Sequence, residues 1–94
     1  MAEAAEYPIN GILDLHTFAP RDVGSLVPEY LRVCRDKGIR RVRIIHGKGT
    51  GALRRQVHRI LDALPMVASY ELAGDRSGWG ATVVHLRPAG FEEA

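Results

Sequence analysis

The sequence has very little cysteine and no long apolar run. Cys34 is the single cysteine among 94 residues, which excludes an internal disulfide framework and a CxxC zinc or redox site. No apolar stretch approaches the ~20 residues that a membrane-spanning helix needs. The first residues also lack the basic start and apolar core of a signal peptide. We therefore expect a cytoplasmic protein with no membrane partner.

The length and composition fit one folded domain. A chain of 94 residues, of which 46% are hydrophobic, can form a single core and leaves no room for two domains. No repeat or low-complexity stretch interrupts it. We expect residues 1–8 and 89–94 to be tails and residues 9–88 to be the domain, with a monomer as the favoured state.

Positive charge is concentrated in one segment. Ten of the 13 basic residues but one of the 11 acids lie between Arg32 and Arg59. Eleven of the 13 are arginine, whose planar fork matches phosphate oxygens. The segment indicates a phosphate-bearing partner approached from one side. The alternative is a solvated helix face whose acidic partners lie nearby in space.

The hydrophobic periodicity predicts four strands and two helices in the order βαβαββ. The predicted strands cover residues 9–18, 41–46, 66–72 and 81–87. This order is typical of an α/β two-layer sandwich with a mixed four-stranded sheet. Right-handed crossovers make the first three strands parallel, and the closing hairpin makes the fourth antiparallel. The carboxyl ends of the first two strands then lie at the same edge as the loop 73–80, where ligands of open α/β sheets tend to bind.

The two helices differ in how clearly the sequence defines them. Pro28 interrupts the first, so we favour a short turn over 20–24 and a main helix capped by Ser25. A kinked continuous helix is the alternative. The second has an apolar stripe from Leu53 to Leu64 and ends at Pro65. Its outward face is predicted to carry Arg54, Arg55, His58, Arg59 and Asp62.

A glycine-rich loop follows the second strand. The segment is His46-Gly47-Lys48-Gly49-Thr50-Gly51, and its glycines allow a close approach of the backbone to a ligand. It opens a helix, whose first N–H groups can bind an anion. Lys48, Arg54 and Arg55 add positive charge, so the loop predicts phosphate binding, although the order of a Walker P-loop is missing. A glycine turn with no ligand is the alternative.

Three side chains near the predicted edge could carry acid–base chemistry. Asp14 and His16 lie two residues apart on the first strand, and His46 ends the second. Imidazole, with an ordinary pKa of about 6.5, suits proton transfer at neutral pH, and Asp14 could orient a histidine or hold Mg²⁺ or Mn²⁺ together with substrate phosphates. The histidine spacing does not match a zinc site. The alternative is that Asp14 and His16 simply face solvent.

The loop before the last strand carries the single tryptophan of the chain. Gly78, Trp79 and Gly80 precede Ala81 and Thr82. Trp79 could stack on an unpaired base or cap the core.

Together, these three motifs resemble the Smr (small MutS-related) domain family. They are Leu13-Asp14-Leu15-His16, the glycine-rich loop 46–51 and Gly78-Trp79-Gly80-Ala81-Thr82, in the family's order and over residues 12–87. The chain resembles a stand-alone member without the ATPase part found in some relatives. The resemblance implies a fold similar to the C-terminal domain of translation initiation factor 3, binding of DNA or RNA, and nicking or RNA-cleaving endonuclease activity in some members.

The resemblance also implies site residues. The first motif corresponds to Asp14 and His16, and the last to Gly78, Gly80 and Thr82. The middle motif corresponds to His46, Gly47, Lys48, Gly49 and Gly51. Thr17 and Ser77 stand where the family commonly has glycine, which changes loop shape without removing a reacting group.

We therefore weigh three functions. The first is an endonuclease in which Asp14, His16 and His46 are catalytic. Its nucleic-acid contacts would be Gly47, Lys48, Gly49, Thr50, Gly51, Arg54, Arg55, Gly78, Trp79, Gly80 and Thr82. The second is a non-catalytic module that binds DNA or RNA through the same surface. The third is an enzyme acting on a small phosphorylated metabolite.

Overall fold

The computed structural model describes residues 9–73 and 80–90, in which four strands alternate with two helices. Strands β1 to β4 cover Ile12–Asp14, Arg41–Ile45, Val67–Leu72 and Ala81–Leu86. Helices α1 and α2 cover Pro20–Asp36 and Ala52–Asp62, and a short 3-10 helix, Leu15–Thr17, follows β1. The predicted order of strands and helices is confirmed.

The sheet brings three chain segments to one edge. The strand order is β1-β2-β4-β3. β1 and β2 are parallel, and β4 is antiparallel to both β2 and β3, so the predicted directions are also confirmed. Ile45 pairs with Asp14 on one side and with Ala81 on the other. The ends of β1 and β2 therefore lie beside the start of β4.

One face of the sheet packs against both helices. Alternate residues of β2 and β4 enter the core with the buried side of α1 and α2, as the period-two pattern of strands requires. The largest fully buried members are Tyr30, Leu13, Leu15, Leu31, Ile44, Leu61, Val23, Val27, Val42, Val57 and Val84. The same alternation places His46 and Thr82 on the helix side of the sheet.

The first strand is shorter than predicted. The prediction of a strand over 9–18 is wrong because the Asp14 carboxylate accepts the N–H of His16 at 2.9 Å, which turns the chain into the 3-10 helix. Leu15 remains buried, so the alternation of apolar residues does not reveal this turn.

Helix α1 is continuous, so the favoured prediction of a start at Ser25 is wrong and the continuous alternative is confirmed. Pro20 stands at its amino end and Pro28 inside it. An internal proline costs about 3 kcal/mol. Val23 is fully buried, and complete burial of a valine contributes about 1.5–3 kcal/mol, which offsets much of this cost. Gly24, whose carbonyl lacks the N–H of residue 28, is exposed to water, which reduces the cost.

The sequence predicts that the basic segment faces one side of the molecule, and this prediction is wrong. Arg41 begins β2 opposite His85, whereas Lys48 follows its other end, so strand β2 separates the cations onto two edges. Arg32 of α1 pairs with Glu29 at 2.5 Å and with Asp36 at 3.6 Å. The solvated-face alternative is therefore correct for this part of the segment.

Candidate functional site

At the carboxyl edge of β1 and β2, the glycine-rich loop, residues 46–51, is hydrogen-bonded to Gly80, the residue before β4. The carbonyl of Gly80 accepts the N–H of His46 at 3.0 Å and the N–H of Gly47 at 2.9 Å. Gly80 is buried, and a side chain there would meet the Lys48 stem at 3.7 Å and the Gly47 backbone at 3.8 Å. Two of the three sequence motifs are therefore in direct contact.

Asp14 and His16 form an exposed hydrogen-bonded pair. The Oδ1 atom of Asp14 lies 2.6 Å from Nδ1 of His16, and the two side chains are 53% and 62% exposed. The His16 backbone N–H lowers the pKa of Asp14 below its ordinary value, and the contact with the His16 ring adds to this effect. An ionised carboxylate only accepts hydrogen bonds, so Nδ1 of His16 carries the proton and Nε2 of the neutral ring keeps its lone pair.

His16 lies over the first glycine of the loop. Gly47 has a φ of +82°, and a Cβ atom built on it would stand 3.2 Å from Nε2 of His16. Only glycine combines this backbone conformation with so close an approach. The Nε2 atom of His16 is therefore held next to the loop backbone.

His46 occupies a different environment on the helix side of the same loop. It is 5% exposed, its Nδ1 lies 3.0 Å from the Gly47 carbonyl, and its Nε2 lies 2.8 Å from the Thr82 hydroxyl. Burial lowers the pKa of His46, and the charge of Arg54 acts in the same direction. The structure thus brings His46 to the loop but engages both of its ring nitrogens.

Thr82 lies beneath α2 rather than on the loop surface. Its side chain is fully buried, and its hydroxyl also lies 2.8 Å from Nε2 of His58. Both hydrogen bonds are internal, so the structure does not expose Thr82 to a ligand. The prediction that His58 lies on the outward face of α2 is wrong because its ring turns inward to this hydroxyl.

His58 belongs to a polar row that sequence reasoning missed. Arg54, His58 and Asp62 follow at four-residue spacing on α2. The His58 ring packs 4.7 Å from the ring of Tyr70, whose hydroxyl donates to Asp62 at 2.7 Å. The alternation of side chains along β4 could have indicated this position, because Thr82 lies two residues before Val84 and therefore on the same helix-facing side of the sheet.

Positive charge gathers where α2 begins. Gly51, with a φ of +88°, precedes the helix and offers no side-chain cap, and the N–H of Ala52 donates to the Thr50 hydroxyl at 3.3 Å. Guanidinium nitrogens of Arg54 and Arg55 stand 3.0 and 3.1 Å from where a Gly51 Cβ would lie. Both arginines therefore fold back over the helix start.

A cleft of about 300 Å³ opens beside this start. Its walls are formed by His46, the glycine-rich loop including Gly49, and the first turn of α2 with Arg54. Pro20, at the start of α1, closes its side. The cleft combines backbone N–H groups, a helix start and cations, which is the chemistry that binds phosphate.

Two of the predicted site residues are not among the residues that the structure describes. Gly78 and Trp79 fall outside the described residues, so their roles stay predictions. Within 9–73 and 80–90, no group of three or more His, Cys, Asp or Glu side chains could together hold a metal ion. In the same part of the chain, no helix is long and apolar enough to cross a membrane.

Comparison with known proteins gives one consistent result. A family model described as the Smr domain matches residues 13–87. Endonuclease MutS2 of Maridesulfovibrio salexigens is 55% identical over 51 residues, which is 53% of this chain and 7% of that protein. Endonuclease MutS2 of Carboxydothermus hydrogenoformans is 37% identical over 76 residues, or 80% of this chain and 10% of that protein. The chain therefore spans only a small part of these relatives.

Two crystal structures share the fold. The Smr domain of Thermus thermophilus MutS2 aligns with a TM-score of 0.77 and 35% identity, covering 84% of this chain and 100% of that one. YdaL, a stand-alone small MutS-related protein from Escherichia coli, aligns with a TM-score of 0.76 and 30% identity, covering 88% of this chain and 69% of that one. The fold predicted from the sequence is the fold of these structures.

Proposed function

The chain belongs to the Smr domain family, and on this premise we propose that it binds DNA or RNA at the glycine-rich edge and cleaves phosphodiester bonds there. The observation that carries the proposal is the position of His16, whose Nε2 lies against Gly47 and has no hydrogen-bond partner among the described residues, while Asp14 holds its other nitrogen. A base oriented by a carboxylate thus stands beside a phosphate-binding loop. The name endonuclease, carried by MutS2 relatives, is consistent with this arrangement.

Binding is assigned to the loop and the start of α2. Backbone N–H groups of a glycine-rich turn and an uncapped helix start attract phosphate oxygens. Arg54 and Arg55, folded over Gly51, supply donors in the fork geometry that fits phosphate. Lys48 and Thr50 extend the same surface, and both are exposed.

The reaction is assigned to the Asp14–His16 pair. As the new bond to phosphorus forms, His16 accepts the proton of the attacking oxygen, which belongs to water or to a ribose 2′-hydroxyl. The Asp14 carboxylate stabilises the imidazolium that results, as in other oriented acid–base pairs. The bond from phosphorus to the leaving oxygen breaks, that oxygen takes up a proton from water, and the imidazolium later returns its proton to solvent. The guanidinium groups at Gly51 balance the charge of the transition state.

His46 receives a different role. Both of its ring nitrogens already contact groups of the protein, so in this conformation it is a support of the loop rather than the proton acceptor. Its predicted part in catalysis remains to be tested.

A divalent ion would be held by Asp14 together with substrate phosphates. Mg²⁺ commonly uses one or two carboxylates and keeps several waters, and Asp14 is exposed. Such an ion would supply charge neutralisation and a more acidic attacking water.

The test uses a second histidine–carboxylate pair as its control. Glu71 lies 3.3 Å from His85 on β3 and β4, away from the glycine-rich loop. The purified chain is incubated with supercoiled plasmid and with a structured RNA, in Mg²⁺, Mn²⁺ or EDTA, beside the Asp14→Asn and Glu71→Gln variants. Cleavage that is lost in Asp14→Asn and kept in Glu71→Gln supports the proposal. Salt-sensitive binding without cleavage of any substrate would instead support a non-catalytic binding module.

A further inference from the structure

The hydrogen-bonded chain from His58 through Thr82 to His46 runs in one direction. The Gly47 carbonyl only accepts, so Nδ1 of His46 donates to it at 3.0 Å. A neutral imidazole has a single N–H, so Nε2 of His46 accepts, and the Thr82 hydroxyl donates to it at 2.8 Å. That hydroxyl has no second hydrogen. His58 must therefore donate its Nε2–H to Thr82, also at 2.8 Å.

We propose that His58 is a positioning residue which, through the Thr82 hydroxyl, acts together with the Gly47 carbonyl to keep His46 in the Nδ1–H tautomer and thereby holds the Gly47 peptide in place. The link from these hydrogen bonds to nucleic-acid binding rests on the function proposed above. The tautomer itself does not depend on it.

The ring of His58 is itself held from several sides. Tyr70 of β3 packs on it at 4.7 Å, and Arg54 and Asp62 flank it along α2. Tyr70 also donates its hydroxyl to Asp62 at 2.7 Å, which fixes the carboxylate beside the imidazole. The charged and titratable groups that face His58 are thus Arg54, Asp62, Tyr70 and His46.

The donor from His58 also opposes protonation of His46. A protonated His46 would present N–H at Nε2, so the Thr82 oxygen would face two donors. Its own hydrogen would then have to turn to another acceptor within a fully buried site, and an unpaired buried donor is costly. Burial lowers the pKa of both imidazoles, in keeping with this arrangement.

The chain of bonds ends on the residue that contacts the proposed base. Gly47 donates its N–H to Gly80 at 2.9 Å and accepts from His46 through its carbonyl, so both polar groups of this residue are fixed. Its α-carbon lies beneath Nε2 of His16. A change at His58 is therefore transmitted to the spacing between loop and base.

Nitrogen-15 NMR of the imidazole rings tests the proposal directly. We expect His46 in the Nδ1–H form and His58 with a proton on Nε2. His58→Gln places an amide donor near the position of Nε2 and should keep the His46 tautomer, whereas His58→Leu removes the donor and should give a mixture of tautomers. An Nε2–H tautomer of His46 in the unchanged protein, or an unchanged His46 in His58→Leu, would overturn the proposal.

Binding of a fluorescent oligonucleotide provides the functional readout. We expect weaker affinity for His58→Leu and not for His58→Gln. Transmission to the loop of the whole of one net hydrogen bond, about 0.5–1.5 kcal/mol, sets the upper limit of this loss at roughly two- to twelve-fold. Equal affinity in all three proteins would contradict the transmitted effect. If the unchanged protein binds no nucleic acid, the proposed function fails, and the tautomer spectra still decide the role of His58.

Discussion

His16 and His46 contact the same glycine in opposite ways. His16 is exposed to solvent, its Nδ1 is hydrogen-bonded to Asp14, and its Nε2 lies beside Gly47. His46 lies in the interior, and its two nitrogens contact Gly47 and Thr82. Two imidazoles within one small site therefore differ in solvent exposure and in hydrogen-bond partners, which are the properties that govern proton transfer to a ring nitrogen. Exposure and hydrogen-bond partners, rather than residue type, separate the group proposed to react from the group proposed to support it.

Replacement of His16 should have the largest effect on this comparison. We expect His16→Gln to slow cleavage by roughly 100-fold or more, since a positioned acid–base group contributes about 10²–10⁴-fold. Affinity for nucleic acid and the midpoint of thermal unfolding should change little because the side chain is exposed. Initial rates beside His85→Gln provide the measurement and its control. Equal rates in the two variants would remove His16 from the reaction.

Replacement of Thr82 should affect stability instead. Thr82→Val keeps the shape of the side chain but leaves Nε2 of both His46 and His58 without its partner. We expect the free energy of unfolding to fall by about 1–3 kcal/mol, the cost of unpaired buried polar groups. Urea unfolding compared with the exposed Thr17→Val tests this. A loss no greater than that of Thr17→Val would mean that the buried hydrogen bonds of Thr82 contribute nothing to the free energy of unfolding.

Replacement of Gly47 by alanine should lower both stability and the rate of cleavage, with a smaller loss of stability than in Thr82→Val. Gly47 and Gly49 both have positive φ, but only at Gly47 would a Cβ meet another residue, namely His16. Each substitution should cost about 1–2 kcal/mol of stability, because side chains disfavour the left-handed region. Cleavage should fall much further in Gly47→Ala than in Gly49→Ala. Similar cleavage rates in the two variants would show that His16 does not need its position over the loop.

The smallest expected effect is on the pH dependence of stability. Burial lowers the pKa of His46 and His58 in the folded state, so near pH 6 the unfolded chain binds more protons than the folded one. Stability is then full above the unfolded value of about 6.5 and is lost as the pH falls below it. Urea unfolding between pH 7.5 and 5 should show this loss, and it should be smaller in His58→Gln. A flat profile would contradict the buried, neutral state of both rings.

The sequence predicted most of the fold and only part of the site. Period-two alternation and right-handed crossovers are sufficient for the order of the elements along the chain and for the strand directions, because they follow from local sterics. They do not specify that β4 lies between β2 and β3 in the sheet. The turn at Asp14 and the continuity of α1 through Pro28 depend on one side-chain hydrogen bond and on the burial of Val23. A pattern of apolar residues does not give the free energy of one side-chain hydrogen bond or of the burial of one valine.

The same limit applies to the site residues. Motif spacing places Asp14, His16 and His46 at one edge because β1 and β2 are parallel neighbours. It does not distinguish the exposed imidazole of His16 from the buried one of His46, since that difference depends on Thr82, which lies 36 positions from His46 and 24 positions from His58 in the chain. Long-range hydrogen bonds of this kind leave no local pattern.

Reaction of the histidines with diethyl pyrocarbonate, mapped by mass spectrometry with and without nucleic acid, tests the difference between His16 and His46 most directly. The reagent modifies neutral imidazole nitrogens that solvent can reach. We predict rapid modification of His16 that bound nucleic acid suppresses, modification of His85 that it does not suppress, and no modification of His46 in the folded protein. Modification of His46 as fast as that of His16, or protection of His85 in place of His16, would contradict this account.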